Sequence, residues 1–276
     1  MNYCAKIRTI QVVPFKIMIE ALKELLTDTS IEIDEDGIRI ITMDTPHQVL
    51  VHMKLDAHKF EEYFCKQKII IGVNMMNFHK IIKTINNNDQ LTLFVEDGNM
   101  NYLGVEIENE TLITQYKLDL LDLDNTVIQV DPARMPTVIT MPSSEFQKIC
   151  RDMSSYADKM EIKNIGNHLT FSCKGDFCVQ KTQIKDNSSL AASGARNVKT
   201  PESDSSAIVQ GVFSIKNLVL FTKCTNLSQT CEIYLKNDFP LIVRYSIANL
   251  GEIKLCLAPS DEDSRDHAHH HVNRLL

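Results

Sequence analysis

The sequence predicts an α+β chain made of two copies of one unit. Three observations carry that reading. Four segments place apolar residues at helical spacing, the stretches between them alternate apolar and polar residues as strands do, and the order of elements in the first half recurs in the second.

The first helix is predicted over residues 14–27, with Pro14 near its start, where a missing N–H is tolerated. Met18, Ala21, Leu22 and Leu25 give it an apolar side, which puts Lys16 and Lys23 on the opposite side. Period-two runs at 31–33, 37–41 and 49–55 follow as strands, the first two joined by Glu35-Asp36-Gly37. The second helix is predicted over residues 74–85, with Met75, Phe78, Ile82 and Ile85 inward and Asn77, Lys80 and Lys83 outward. Strands at 91–95 and 102–107 flank the turn Glu96-Asp97-Gly98-Asn99. The third helix, 143–157, is capped by Ser143 or Ser144, buries Phe146, Ile149, Cys150 and Met153, and exposes Lys148, Arg151 and Ser155. A strand at 169–172 precedes the fourth helix, 214–225, which carries Lys216 and Lys223. Its period is weak because Leu218 to Phe221 is apolar all round. Strands at 231–235, 241–245 and 253–257 complete the pattern, with a turn at Lys236-Asn237-Asp238.

The two halves also match in detail. Ile71-Gly72-Val73-Asn74 leads into the second helix as Gly211-Val212-Phe213-Ser214 leads into the fourth, and Asp89-Gln90-Leu91-Thr92-Leu93 is echoed by Gln229-Thr230-Cys231-Glu232-Ile233. The expected organisation is a first domain at 1–120, a connector at 121–136, a second domain at 137–259 and a tail at 260–276. Residues 186–206, rich in Ser, Ala, Gly and Asn, read as a long loop. The tail is acidic and then carries His267, His269, His270 and His271; it reads as a solvated end rather than a metal site.

Several function classes are excluded at this point. No apolar run reaches the roughly 18–20 residues of a membrane span, and the first ten residues lack the pattern of a secretory signal, so an intracellular protein with no membrane partner is expected. The eight cysteines form no CxxC and read as buried thiols acting as small hydrophobes. There is no phosphate-cradling glycine motif, no GxSxG and no HExxH, so no catalytic residue, cofactor or metal is expected, and the protein is not read as an enzyme.

Charge then points to a binding role. The chain has 29 Lys and Arg against 36 Asp and Glu, a net −7, so it is no general polycation. Yet each predicted helix carries cations on its back: Lys16, Lys23, Lys80, Lys83, Lys148, Arg151, Lys216 and Lys223. If the two units are equivalent, these eight share one surface, diluted by Glu20, Glu24, Glu145 and Asp152. Such a surface attracts phosphates without reading bases.

Ile41-Thr42-Met43-Asp44, Gly72-Val73-Asn74, Leu121-Asp122-Leu123-Asp124 and Met141-Pro142-Ser143-Ser144-Glu145-Phe146 resemble the eukaryotic-type sliding clamp family, proliferating cell nuclear antigen. So do Ile149-Cys150-Arg151-Asp152, Phe221-Thr222-Lys223, Pro240-Leu241-Ile242-Val243 and Leu257-Ala258-Pro259, and the match is collinear over about residues 5–260. The resemblance implies two topologically equivalent sliding-clamp domains, with helices lining a bore and antiparallel sheets outside, in a ring-forming homotrimer around duplex DNA. It implies that the eight cations contact DNA without regard to sequence, and that subunits meet edge to edge through residues 111–119 and 177–186. It also implies a partner-peptide pocket at Met43, His47, Ile128, Val130, Pro240 and Ala258, serving DNA polymerase, ligase and nuclease in replication and repair, with a clamp loader as a further partner. Cys256 stands where the family usually has an aromatic residue, Gln48 where an aliphatic one is common, Asp119 where a bore lysine is common, and Lys163 is the nearest lysine to the family's modifiable position. These departures fit a divergent viral or protist member. The implied location is the nucleus, or the intracellular replication compartment of a virus. Two alternatives accompany this reading: a monomeric DNA-binding accessory factor of a polymerase, and one subunit of a heterotrimeric checkpoint-type clamp.

Overall fold

The computed structural model describes residues 2–44, 46–124, 137–165, 168–184, 197–199 and 208–260. The chain forms two compact units. The first comprises residues 1–42, 52–127 and 246–253, the second residues 43–51, 128–245 and 254–276.

Most of the first unit is one continuous run of elements: β1 (Tyr3–Thr9), α1 (Val12–Leu25), β2 (Asp28–Asp34), β3 (Gly37–Met43), β4 (Val49–Asp56), β5 (Glu62–Cys65), β6 (Ile69–Asn74), α2 (Met75–Ile82), β7 (Gln90–Glu96), β8 (Asn99–Glu108) and β9 (Ile113–Asp119). Five strands lie in the order β5-β1-β7-β8-β9 and four in the order β4-β3-β2-β6. Inward positions alternate as a half-buried sheet requires: Leu91, Leu93 and Val95 of β7 face the core with Leu103, Val105 and Ile107 of β8. Helices α1 and α2 pack against each other, with Phe15 and Phe78 edge to face at 6.4 Å. Beneath them lies an apolar void of about 30 Å³ among Phe15, Met18, Ile31, Met53 and Phe78.

The second unit repeats this plan. Its elements are β10 (Thr137–Pro142), α3 (Ser143–Ser154), β11 (Lys159–Ile165), β12 (His168–Lys174), β13 (Val179–Gln183), β14 (Asn197–Lys199), β15 (Ile208–Ser214), α4 (Ile215–Phe221), β16 (Thr230–Leu235), β17 (Leu241–Ile247) and β18 (Gly251–Leu257). The orders are β14-β10-β16-β17-β18 and β13-β12-β11-β15, a five and a four that match the first unit strand for strand. The duplication reaches single hydrogen bonds. Leu121 N–H donates to Gly72 O at 2.8 Å, and Ser260 N–H donates to Val212 O at 2.7 Å, each just before a second helix. At Gly72 the approach is so close that an added Cβ would lie 2.2 Å from Leu121 O. Phe146, Phe171, Phe213, Phe221 and Tyr245 fill the core of the second unit.

Three sequence expectations change. Helix α3 starts after Pro142 with no side-chain cap, Ser143 being its first and buried residue rather than a cap. The fourth helix is shorter, ending at Phe221 and continuing as a 3-10 segment to Leu227, because Thr222 and Thr225 hydroxyls bond back to Val219 O and Thr222 O. Within 186–206, residues 197–199 form a strand paired with β10, Val138 opposite Lys199, so that stretch is not all loop. The connector from 125 to 136 and the histidines of the tail lie outside the described residues.

Candidate nucleic-acid interface

In the second unit the cations sit where the helical wheel puts them. Helix α3 buries Ser143, Phe146, Ile149, Cys150 and Met153, so its opposite side presents Ser144, Lys148 and Arg151. Arg151 keeps 70% of its side-chain surface, and its nearest acid, Asp152, is 4.0 Å away, a loose surface pair. Helix α4 buries Ile215, Leu218 and Phe221 and exposes Lys216, and Lys223 is exposed on the 3-10 turn that follows. Gln147 Nε2 donates to Thr222 O at 3.3 Å and ties that turn to α3.

The first unit differs. Lys80 on α2 and Lys83, the residue that caps its C-terminal end, are exposed. The helix starts cleanly, since Asn74 Oδ1 accepts from Asn77 N–H at 2.9 Å. On α1, however, Lys16 and Lys23 are not on the exposed side. Lys16 Nζ donates to Ile85 O, in the chain leaving α2. Lys23 keeps only 17% of its side-chain surface and lies 3.7 Å from Glu24. The exposed crest of α1 is instead Val13, Glu20 and Glu24. The reason is the width of the buried arc. The sequence reading centres it on Met18, Ala21, Leu22 and Leu25, but Leu25 is only half-buried, and Val12, Phe15 and Ile19 are buried with Met18, Ala21 and Leu22. At 100° per residue they swing the centre by about 60° and carry the two lysines to its margin. There the long stems lie along apolar surface while the ammonium groups reach polar partners.

Cys4, Cys150, Cys173, Cys224, Cys231 and Cys256 are buried, as their reading as small hydrophobes requires, and Cys65 and Cys178 are half-buried. Burial pushes the thiols of Cys224, Cys231 and Cys256 up to about 12, so none is a ready nucleophile. Among the described residues, no three His, Cys, Asp or Glu are grouped to hold a metal, and no helix is long and apolar enough to cross a membrane.

The second group of predicted site residues falls within the second unit. Met43 ends β3, and His47 sits in the turn that follows with φ of 56°, its Nδ1 2.9 Å from Met43 Sδ. Asp44 builds this turn: its Oδ1 accepts from the N–H groups of Gln48 at 2.7 Å and Val49 at 2.8 Å. Ala258 N–H donates to Gln48 O at 2.9 Å, which brings the segment just after β18 to the same turn. Pro240 is buried just before β17. Ile128 and Val130 lie outside the described residues.

Each unit also has an open sheet edge. Among the described residues, strand β9 pairs only with β8, and β13 only with β12. Large apolar side chains stand open near both: Leu112 and Ile113 at one, Phe177 and Val179 at the other. Unpaired edges with exposed apolar residues are a hazard to a solitary chain and an invitation to a partner strand.

Comparison with known proteins agrees with this geometry. The family model for the N-terminal domain of proliferating cell nuclear antigen matches residues 5–127, and that for its C-terminal domain matches residues 130–260. The chain is also similar to the "Probable DNA polymerase sliding clamp 1" of Paramecium bursaria Chlorella virus 1, with 33% identity over 266 residues, covering 94% of this chain and 97% of the relative.

Proposed function

This chain belongs to the proliferating cell nuclear antigen family, and on that premise we propose that it is a DNA sliding clamp, three copies of which close around duplex DNA and tether a DNA polymerase to its template. The observation that carries the proposal is the duplicated unit whose helices present Lys80, Lys83, Lys148, Arg151, Lys216 and Lys223 to solvent in a chain that is otherwise acidic. Cations concentrated on helix backs attract phosphates, and phosphate contacts are indifferent to sequence. A closed ring needs no tight grip, so a modest patch is enough. The protein acts by tethering and has no reaction of its own.

The open edges of β9 and β13 support closure. A head-to-tail contact that joins one edge to the other in the next copy forms a ring when the rotation closes. The turn of Met43 and His47 with Ala258 and Pro240, together with Ile128 and Val130 as the family resemblance assigns them, serves as the dock for short apolar peptides of polymerase, ligase and nuclease clients, and a loader opens the ring. The site of action is the nucleus, or the intracellular replication compartment if the source is a virus. Light scattering tests the assembly. A mass of about 94 kDa, three chains of 31.4 kDa, is expected. A strict monomer, or a ring that forms only with unlike chains, would refute it.

A further inference from the structure

The helix side of the first unit holds one titratable ring that the eight cations leave out. His79 lies on α2, next to Lys80 and one turn before Lys83, and its side chain is half-buried. Residues four apart share a helix face, so the imidazole and the Lys83 ammonium rise side by side. Helix α1 packs on α2 and brings Lys23, Glu20 and Glu24 to bear on the ring, and Lys83 acts from α2 itself. The other elements packed on α2 are β6, which has no titratable side chain, and β9, which carries Tyr116, Lys117 and Asp119. Of these, Lys117 Nζ lies 5.9 Å from the Tyr102 ring centre. Burial first, and then the charge of Lys23, hold His79 below the ordinary histidine range, which favours the neutral ring in the free protein.

We propose that the imidazole of His79 is a further contact for the DNA backbone, one that gains its proton as a phosphate reaches it. The inference rests on the clamp reading above. A phosphate drawn to Lys80 and Lys83 places negative charge beside the ring and offsets the repulsion from Lys23. The imidazolium that results has two N–H donors where the neutral ring has one. The sign follows directly: DNA raises the proton affinity of His79, so protons strengthen DNA binding, and the added strength is lost as pH rises through the DNA-bound value. Glu20 and Glu24 beside the ring counter part of that repulsion, which leaves desolvation and the charges of Lys23 and Lys83 as the effects a phosphate must outweigh.

The test follows the His79 Cε1–H resonance by NMR in the histidine-labelled full chain, assigned by its loss in His79→Gln, through a pH titration with and without a short duplex. The midpoint is expected to rise by about half a pH unit or more when duplex is bound, a threefold gain in proton affinity. A midpoint that does not move, with duplex binding established by fluorescence anisotropy of the DNA, overturns the inference. A second measurement compares duplex affinity at about pH 8 and about pH 6. The wild-type chain should tighten more than His79→Gln, by up to about threefold, whereas His79→Lys should tighten no more than His79→Gln. Equal tightening in wild type and His79→Gln also overturns it. A chain that binds no duplex at any pH overturns the clamp reading and this inference together, a result distinct from binding with a fixed midpoint.

Discussion

Lys16 and Lys148 should respond to alanine in opposite ways. Lys16 Nζ is committed to Ile85 O and so fastens α1 to the end of α2. A hydrogen bond from a charged donor contributes about 1.5–3 kcal/mol, and partial exposure places this one near the lower end. Lys16→Ala should therefore destabilise the chain by about 1–2 kcal/mol, read as a fall of a few degrees in melting temperature, while changing DNA affinity little. Lys148 and Arg151 are exposed on the back of α3, with only a 4.0 Å approach to Asp152. Removing both should leave the melting temperature in place. It should lower the slope of log affinity against log salt by about 0.9 for each phosphate that is no longer neutralised, so between about 1 and 2 for the pair. The assay is a titration of a short labelled duplex at several salt concentrations, alongside thermal denaturation of each variant. The reasoning fails if Lys16→Ala loses DNA affinity at unchanged stability, or if the α3 double variant keeps the wild-type salt slope.

Other consequences are equally specific. Lys66 Nζ donates to Asp97 at 2.8 Å and the Cys4 thiol donates at 3.5 Å, and together they hold the Asp97 carboxyl below the usual carboxylate range. A depressed folded value means that the contribution is present above the unfolded carboxylate pKa and lost as pH falls through the folded one. Asp97→Asn should therefore flatten the acid limb of melting temperature against pH, and an unchanged limb would count against that role for Asp97. A thiol reagent such as dithiobis-nitrobenzoate should label Cys65 and Cys178 in the native chain and reach the six buried cysteines only on unfolding; rapid labelling of all eight would show that the units open readily. Gly72→Ala would set a methyl group 2.2 Å from Leu121 O and should destabilise the first unit by about 1–3 kcal/mol, measured by urea denaturation, and wild-type stability would show that residue 121 does not close on β6.

Much of the fold is legible in the sequence because the core is built from strongly periodic segments. Phe146, Ile149, Cys150 and Met153 mark α3 without ambiguity, and the matching helix entries at 71–74 and 211–214 reveal the duplication that strand order then repeats. What is not legible has physical causes. Strands β9 and β13 lie at sheet edges and are largely open to solvent, so they bury too little to show an apolar period. Strand β14 is three residues long in a polar stretch and is held by pairing with β10 rather than by its own sequence. On α1 the lysines fall short of the crest because Met18, Ala21 and Leu22 are only part of the buried side. Counting Val12, Phe15 and Ile19 with them puts Glu20 and Glu24 on the crest. His79 carries no sequence signal beyond its helix position, since its environment depends on Lys23 of another helix.

The central claim is that the protein holds DNA by enclosing it. The most direct measurement lets the chain thread onto a linear duplex anchored at one end to a bead, then caps the free end with a bulky protein and washes with high salt. An enclosing ring should stay on the capped duplex and slip off the uncapped one. Equal retention on both, or equal loss from both, would contradict enclosure and would leave a surface that merely touches DNA.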